Sequence, residues 1–290
     1  MPILLDGKVA REARMESFRE RVCLLPVPPT LVIVQIGALR ESNEYIKLKK
    51  RFSESVGVHV QHISLPESSG EAEVIAEVGK QGREASCSGI IVQLPLPPHL
   101  SRERIINTIP PEKDIDGLTA LNQKRLAEND KRAVVPATAR GIVELLEFYN
   151  ISVSEKKVAV LGRSILVGAP IAQLLKNHGA VVTVCHSQTP NTKEITRASD
   201  IVIVAIGKPR LIGADYLLAG RGQVVVDVGI NAVSGGVQLE LEAGRRPLVG
   251  DVDFDAVKDM VAAITPVPGG VGPMTILALF ENLLDIAELK

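Results

Sequence analysis

Four runs of β-branched residues in the second half of the chain limit its fold more than any other feature. They are Val158-Ala159-Val160-Leu161, Val181-Val182-Thr183-Val184, Ile201-Val202-Ile203-Val204-Ala205 and Val224-Val225-Val226-Asp227-Val228. A strand with one wetted face alternates apolar and polar residues, whereas a run that is apolar throughout is covered on both faces. The segments between these runs have helical patterning, so the runs read as parallel strands joined by crossover helices.

The first half carries the same theme on a smaller scale. Residues 7–24 read as a helix and Leu31–Ile36 as a buried strand ended by Gly37. A helix from Ser42, a strand over Val58–Leu65, a helix from about Gly70 to Ala85 and an apolar strand, Gly89–Leu94, stopped by Pro95, follow. Residues 110–138 are richer in Pro, Asp and Asn, and the domain boundary is placed there. The expected architecture is therefore α/β with two domains. Residues 1–119 form an N-terminal α/β lobe to which a C-terminal helix, 273–290, returns, and residues 140–268 form a second lobe around the parallel sheet.

Strand 158–161 runs into Gly162-Arg163-Ser164-Ile165-Leu166-Val167-Gly168-Ala169-Pro170, a helix follows, and the next strand ends at Cys185-His186-Ser187. This strand–turn–helix–strand unit is that of a Rossmann-like lobe, whose helix N-terminus attracts a pyrophosphate. Ser164 stands where the usual glycine pattern has its second glycine. Sites that prefer NAD place an acid about 20 residues after the glycines. Here that place holds His186 and Ser187, and Arg163 lies in the turn. An arginine with hydroxyl donors suits a 2′-phosphate, so NADP is the expected cofactor.

In the first lobe Tyr45, Lys49, Phe52 and Val56 recur at helical spacing. At ~100° per residue they fall within about 60° of one another on one face, with Lys47, Lys50 and Arg51 elsewhere. A lysine in such a stripe either snorkels to water or is a partly buried amine whose pKa desolvation lowers towards neutrality. Tyr45 beside it either stacks on a flat heterocycle or belongs to the core. A Tyr-x-x-x-Lys pair also occurs in short-chain dehydrogenases, but there it follows the glycine turn, and here it precedes Gly162 by more than a hundred residues. Gln93 ends an apolar strand just before Pro95-Leu96-Pro97-Pro98, which puts an amide at a carboxyl end, where open α/β sheets bind ligands. Lys113-Asp114-Ile115-Asp116-Gly117 places two carboxylates in a turn.

Ile264-Thr265-Pro266-Val267-Pro268-Gly269-Gly270-Val271-Gly272-Pro273-Met274-Thr275 contains three prolines and three glycines. It is too stiff and too poor in donors for regular structure, and it leads into an apolar helix from Met274 with Pro273 at the first helical position. Such a loop suits the clamping of a flat or anionic ligand.

The net charge of −1 gives no sign of nucleic acid or a membrane surface as partner. Cys23, Cys87 and Cys185 are odd in number and widely spaced, forming neither a disulfide framework nor a zinc pattern. His59 and His62 lie on an expected strand, and no metal is expected. No basic-then-apolar leader is apparent, and no apolar run approaches the ~18 residues that span a bilayer. A cytoplasmic protein is expected.

Together these segments resemble the bifunctional methylenetetrahydrofolate dehydrogenase/methenyltetrahydrofolate cyclohydrolase family over nearly the whole chain. The resemblance rests on Ser42-x-x-Tyr45-Ile46-x-x-Lys49, Val92-Gln93-Leu94-Pro95-Leu96-Pro97, Lys113–Gly117, Gly162-Arg163-Ser164-x-x-Val167-Gly168-x-Pro170, Cys185-His186-Ser187, Asp227-Val228-Gly229-Ile230-Asn231, Val249-Gly250-Asp251-Val252 and Pro266–Thr275. It implies that Tyr45 stacks on the folate, Lys49 is the catalytic lysine, Gln93 assists it and Asp116 holds the pterin. It also implies a folate pocket lined by the Pro268–Pro273 loop, including Gly269 and Gly270. NADP contacts would come from Gly162, Arg163, Ser164, Ser187 and Ile230. The implied partners are tetrahydrofolate derivatives and a second copy of the chain in a homodimer.

The chain departs from the family at two places. Pro136-Ala137-Thr138-Ala139 replaces the usual Pro-Cys-Thr-Pro, and Leu39-Arg40-Glu41 replaces a smaller Asp-Pro-Ala-like turn. Two other readings stay open, a member with dehydrogenase activity alone and a non-catalytic nucleotide-binding protein. Lys49 argues against the first, and the intact Tyr45–Lys49–Gln93–Asp116 set against the second.

Overall fold

The computed structural model describes residues 2–232 and 248–289, and the chain divides into two compact units. One unit comprises Met1–Arg11 and Thr138–Thr275, the other Glu12–Ala137 and Ile276–Lys290. The strands are β1 (Ile3–Leu4), β2 (Thr30–Ile36), β3 (His59–Leu65), β4 (Gly89–Val92), β5 (Lys157–Leu161), β6 (Val181–Cys185), β7 (Ile201–Val204), β8 (Val224–Asp227), β9 (Asn231–Ala232), β10 (Leu248–Val249) and β11 (Ala263–Ile264).

The unit built on Thr138–Thr275 holds a six-stranded parallel sheet in the order β1-β11-β8-β7-β5-β6, with β9 and β10 as a separate antiparallel pair. Residues on both faces of the central strands are buried. Ala159 and Leu161 pack with Val202, Val204, Val225 and Ile264 in one apolar cluster, while Val158, Val160 and Ile203 are buried on the other face. This is the double coverage expected from their unbroken apolar runs. The β6 strand differs. It is an edge strand, and Val181 is 61% exposed. Because β5 lies between β6 and β7, the strand order reverses there, and open sheets take ligands at the carboxyl ends beside such a switch point.

The first eleven residues belong to this unit and not with 12–119, as the sequence pattern suggests. The two residues of β1 pair in parallel with β11, and Ile3 N and Leu5 N donate to Ala262 O and Ile264 O at 2.7 and 2.8 Å. The expected helix over 7–24 is two helices, Gly7–Glu12 and Met15–Leu24, and the units part at Glu12, the last residue of the first.

The other unit is a three-stranded parallel sheet, β3-β2-β4, with helices packed around it. Leu31 to Val34 of central β2 have no exposed surface, and Val74, Val78, Ile90 and Ile105 cluster with that strand. The expected strand to Leu94 leaves the ladder after Gln93 N donates to Val34 O at 2.8 Å. The stretch placed at the domain boundary contains a 3-10 turn, Pro111–Lys113, and a helix, Ala120–Ala127, before the units part at Ala137. The Val271–Glu288 helix begins before Pro273, which sits in the first turn, where a missing N–H costs nothing. From Ile276 onward its residues belong to the three-stranded unit, where Phe280 meets Phe52 at 4.8 Å between ring centroids.

Candidate active site

In the three-stranded unit the helix Arg40–Val56 buries Ile46, Phe52 and Val56 and ends at Gly57 in the left-handed region, φ +76°. That face fixes which side chains turn inward. The helix starts at Arg40 with no side-chain cap, so Ser42 is not the N-cap that its position suggests. Ser42 is buried in the first turn and its Oγ donates to Leu94 O at 3.4 Å.

Lys49 is half-buried, and its Nζ donates to Gln93 Oε1 at 3.0 Å. Gln93 is held in that sense because its Nε2 donates to Leu94 O at 2.8 Å, which leaves the amide oxygen for the lysine. The Leu94 carbonyl thus links Ser42 and Gln93. Burial lowers the Lys49 pKa, and the Asp116 carboxylate opposes that shift without cancelling it. The same burial raises Asp116 to about 6, against the attraction of Lys49 and with a small contribution from Asp114. Tyr45 lies one turn before Lys49 and is 38% exposed, leaving a ring face available.

The Lys113–Gly117 segment divides its work. Lys113 Nζ donates to the carbonyls of Gly82 and Glu84 at 2.9 and 2.7 Å, capping the end of the Glu71–Arg83 helix. Buried Asp114 accepts from Thr119 N at 2.8 Å and Asn122 Nδ2 at 3.0 Å, which sets the following turn. Ile115 is fully buried, and Asn282 donates to its carbonyl at 2.8 Å. Gly117, at φ +68°, completes the turn. Asp116 is left to interact with Lys49. So the structure brings Lys49, Gln93 and Asp116 into one electrostatic group, with Tyr45 on the same helix.

The other predicted residues lie in the six-stranded unit. Gly162 follows β5 at φ +116°, and a Cβ there would overlap the carbonyl oxygen of Ala205, just beyond β7. A Cβ on Gly168 would in turn overlap the carbonyl of Gly162. These two glycines let the turn close against the helix Gly168–Asn177 at the switch point. Ser164 takes over the structural part of a glycine, its Oγ accepting from Val167 N and Gly168 N at 3.2 and 3.4 Å. Arg163, Ser187 and Ile230 are exposed at the carboxyl ends of β5, β6 and β8. A turn shaped by glycine contacts, a helix N-terminus and an exposed arginine fit a dinucleotide phosphate. Pro268, Gly269 and Gly270 belong to the same unit, in the loop after β11, where Gly269 O accepts from Gly7 N at 2.9 Å.

Two buried acids, Asp227 and Asp251, are not among the expected site residues. Asp227 ends β8, and its carboxylate accepts from Gly229 N and Asp251 N at 3.0 Å each and from Val252 N at 2.8 Å. Burial raises its pKa to about 6, although these backbone donors pull it down. Asp251 Oδ2 accepts from Ile206 N at 2.6 Å and Gly207 N at 2.8 Å. An acid closing a valine run marks Asp227, and both acids lie in segments that carry the family resemblance, Asp227–Asn231 and Val249–Val252. His62 lies on β3, three residues from His59. It meets Lys50 Nζ at 3.1 Å and Gln35 Oε1 at 2.8 Å, tying the Arg40–Val56 helix to the sheet. Among the described residues, no group of three or more His, Cys, Asp or Glu side chains has the geometry to hold a metal ion.

Residues 5–116 match the family model for the catalytic domain of tetrahydrofolate dehydrogenase/cyclohydrolase, and residues 136–290 match that for its NAD(P)-binding domain. The chain is 40% identical over 289 residues to the bifunctional protein FolD of Bacillus anthracis, covering 99% of this chain and 96% of that protein. The crystal structure of the FolD methylenetetrahydrofolate dehydrogenase/cyclohydrolase from Campylobacter jejuni superposes with a TM-score of 0.92 at 36% identity, over 100% of this chain and 99% of that one. The Trypanosoma brucei enzyme, solved with NADP cofactor and an inhibitor, gives the same score and identity, over 99% and 98% of the two chains. The chain belongs to the tetrahydrofolate dehydrogenase/cyclohydrolase family.

Proposed function

We propose that the protein catalyses two successive steps on one carbon of a folate. It oxidises 5,10-methylenetetrahydrofolate to 5,10-methenyltetrahydrofolate with NADP⁺, then hydrolyses that cation to 10-formyltetrahydrofolate. The observation that carries this reading is the Lys49–Gln93 hydrogen bond of 3.0 Å in the field of Asp116. When bound, NADP⁺ supplies the hydride acceptor. Gly162, Arg163, Ser164, Ser187 and Ile230 are the residues that would hold it, with Arg163 and Ser187 meeting the 2′-phosphate.

The oxidation asks the chain for placement and no strong base. Tyr45 stacks on the folate, and the Asp116 carboxylate holds the pterin by its N–H groups. Hydrolysis needs proton transfer. Water adds to the methenyl carbon and loses both protons in all; one reaches the departing N5 as the ring opens, and the other goes to solvent. Lys49 is the group that moves them, since burial lowers its pKa and so increases the neutral amine available as base. Gln93 fixes the Lys49 nitrogen by a bond that the amine keeps as donor in both charge states.

The direct test is spectrophotometric. Reduced cofactor should form from methylenetetrahydrofolate and NADP⁺, and methenyltetrahydrofolate should disappear faster with the protein than without it. Formation of reduced cofactor with no acceleration of that decay would leave a dehydrogenase alone. The assembly is proposed to be a homodimer on the family's likeness. A cytoplasmic location is supported by three free cysteines, Cys23, Cys87 and Cys185. No described helix is long and apolar enough to cross a membrane.

A further inference from the structure

The carboxyl edge of the parallel sheet is braced from behind by two acids that touch no predicted ligand position themselves. Asp251 Oδ2 holds Ile206 N and Gly207 N, the turn that leaves β7, at 2.6 and 2.8 Å. Its Oδ1 accepts from Asn231 Nδ2 at 2.8 Å, beside exposed Ile230 in the segment that leaves β8. One carboxylate with no exposed surface therefore joins the two segments on either side of a cofactor edge.

Asp251 is itself placed by Asp227. The Asp227 carboxylate accepts from the backbone N–H groups of Asp251, Val252 and Gly229, and Asp227 N donates to Thr265 Oγ1 at 2.7 Å. Two glycines make this approach possible. A Cβ on Gly229 would overlap the Asp251 carboxylate, and one on Gly250 would overlap that of Asp227. Gly207, by contrast, has no atom within 4 Å of where its Cβ would stand. It is the open face of a turn whose other side is fixed.

We infer that Asp251 is a positioning residue for NADP, holding the Ile206–Gly207 turn and the Ile230–Asn231 segment in the geometry that the cofactor meets. The inference rests on the reading of this edge as the NADP site. Buried acceptors of this kind preorganise a binding surface by fixing its backbone before the ligand arrives.

The two activities allow a test with an internal control, because hydrolysis of methenyltetrahydrofolate consumes no cofactor and the residues proposed for its proton transfer, Lys49, Gln93 and Asp116, lie in the other unit. In Asp251→Ala the KM for NADP⁺ should rise about tenfold or more, kcat at saturating cofactor should change less than about threefold, and cyclohydrolase activity should stay within about twofold. Asp251→Asn should recover much of the affinity, since its oxygen still accepts from Ile206 and Gly207 and the Asn231 amide turns over to receive its NH₂. An unchanged KM in Asp251→Ala, or equal loss of both activities in a folded protein, overturns the inference. If Asp251→Ala does not fold, Asn231→Ala removes the link to the Ile230 segment, together with a longer bond to Val249 O at 3.4 Å, and should raise the KM several-fold; an unchanged KM there overturns it equally. A wild-type protein that binds no NADP⁺ while hydrolysing methenyltetrahydrofolate refutes the site reading itself, a result separable from failure of the brace.

Discussion

Gln93 presents its Oε1 to Lys49 Nζ at 3.0 Å because its own amide nitrogen is engaged by the Leu94 carbonyl at 2.8 Å. The orientation of a flat, reversible side chain is thereby set by the carbonyl of the next residue. Replacing Gln93 by Leu keeps the size but leaves Lys49 without this acceptor and the Leu94 carbonyl without its donor. Loss of such a hydrogen bond costs about 1–3 kcal/mol when the partner stays buried, so cyclohydrolase activity should fall about 10–100-fold. Measured kcat within a factor of two of wild type would show that Lys49 does not depend on Gln93.

Asp116 gives a pH prediction with a definite sign. Burial raises its pKa from 3.8 to about 6, so the folded protein holds this proton more tightly than the unfolded chain. Its contribution to stability therefore falls as pH rises through that window. Ligand binding runs the other way. The carboxylate proposed to accept from the pterin is lost as pH falls through about 6, and folate affinity should drop with it. Titrations of folate binding between pH 5 and 8 should show this step in wild type and not in Asp116→Asn, which should bind weakly throughout. A step that persists in Asp116→Asn would assign it to another group.

Arg163 is exposed in the turn after β5, and no acid occupies the end of β6 at His186 and Ser187. A charge-assisted hydrogen bond to the 2′-phosphate is worth about 1.5–3 kcal/mol, so Arg163→Ala should raise the KM for NADP⁺ about 10–100-fold and that for NAD⁺ much less. Steady-state kinetics with both cofactors decide it; equal losses would remove Arg163 from 2′-phosphate recognition.

Gly162 has φ +116° and no room for a methyl group beside Ala205 O. Gly162→Ala should destabilise the fold by about 1–3 kcal/mol through strain in this backbone region. Denaturant melts should show the loss as a lowered midpoint, and an unchanged midpoint would mean that the turn relaxes freely.

Which parts of this molecule can be read in advance follows from how local their causes are. Strands β5, β7 and β8 are legible because both their faces are buried and their apolar runs, Val158–Leu161, Ile201–Val204 and Val224–Val226, report it. The two-residue strands β1, β9, β10 and β11 carry no period, and β1 is defined only by pairing with residues some 260 positions later. Lys49 announces itself by sharing a stripe with Phe52 and Val56. Ser42 misleads, because the helix gains two residues before it and the hydroxyl turns to Leu94 O. Asp251 lies in a segment that carries the family resemblance, but its contacts are not legible there, since its side-chain partners lie 20 to 45 residues away. The Ala137 and Ala139 departures leave the helix start in place, and both side chains are fully buried.

Lys49 carries the proposed proton transfer. In Lys49→Met the chain keeps its apolar stripe and loses the amine beside Gln93, so both activities should be measured on one preparation whose folding and NADP⁺ binding match wild type. General acid–base catalysis contributes about 10²–10⁴-fold, and cyclohydrolase activity should fall by that factor while dehydrogenase activity falls less. Wild-type cyclohydrolase activity in a folded Lys49→Met protein would contradict the assignment of proton transfer to this residue.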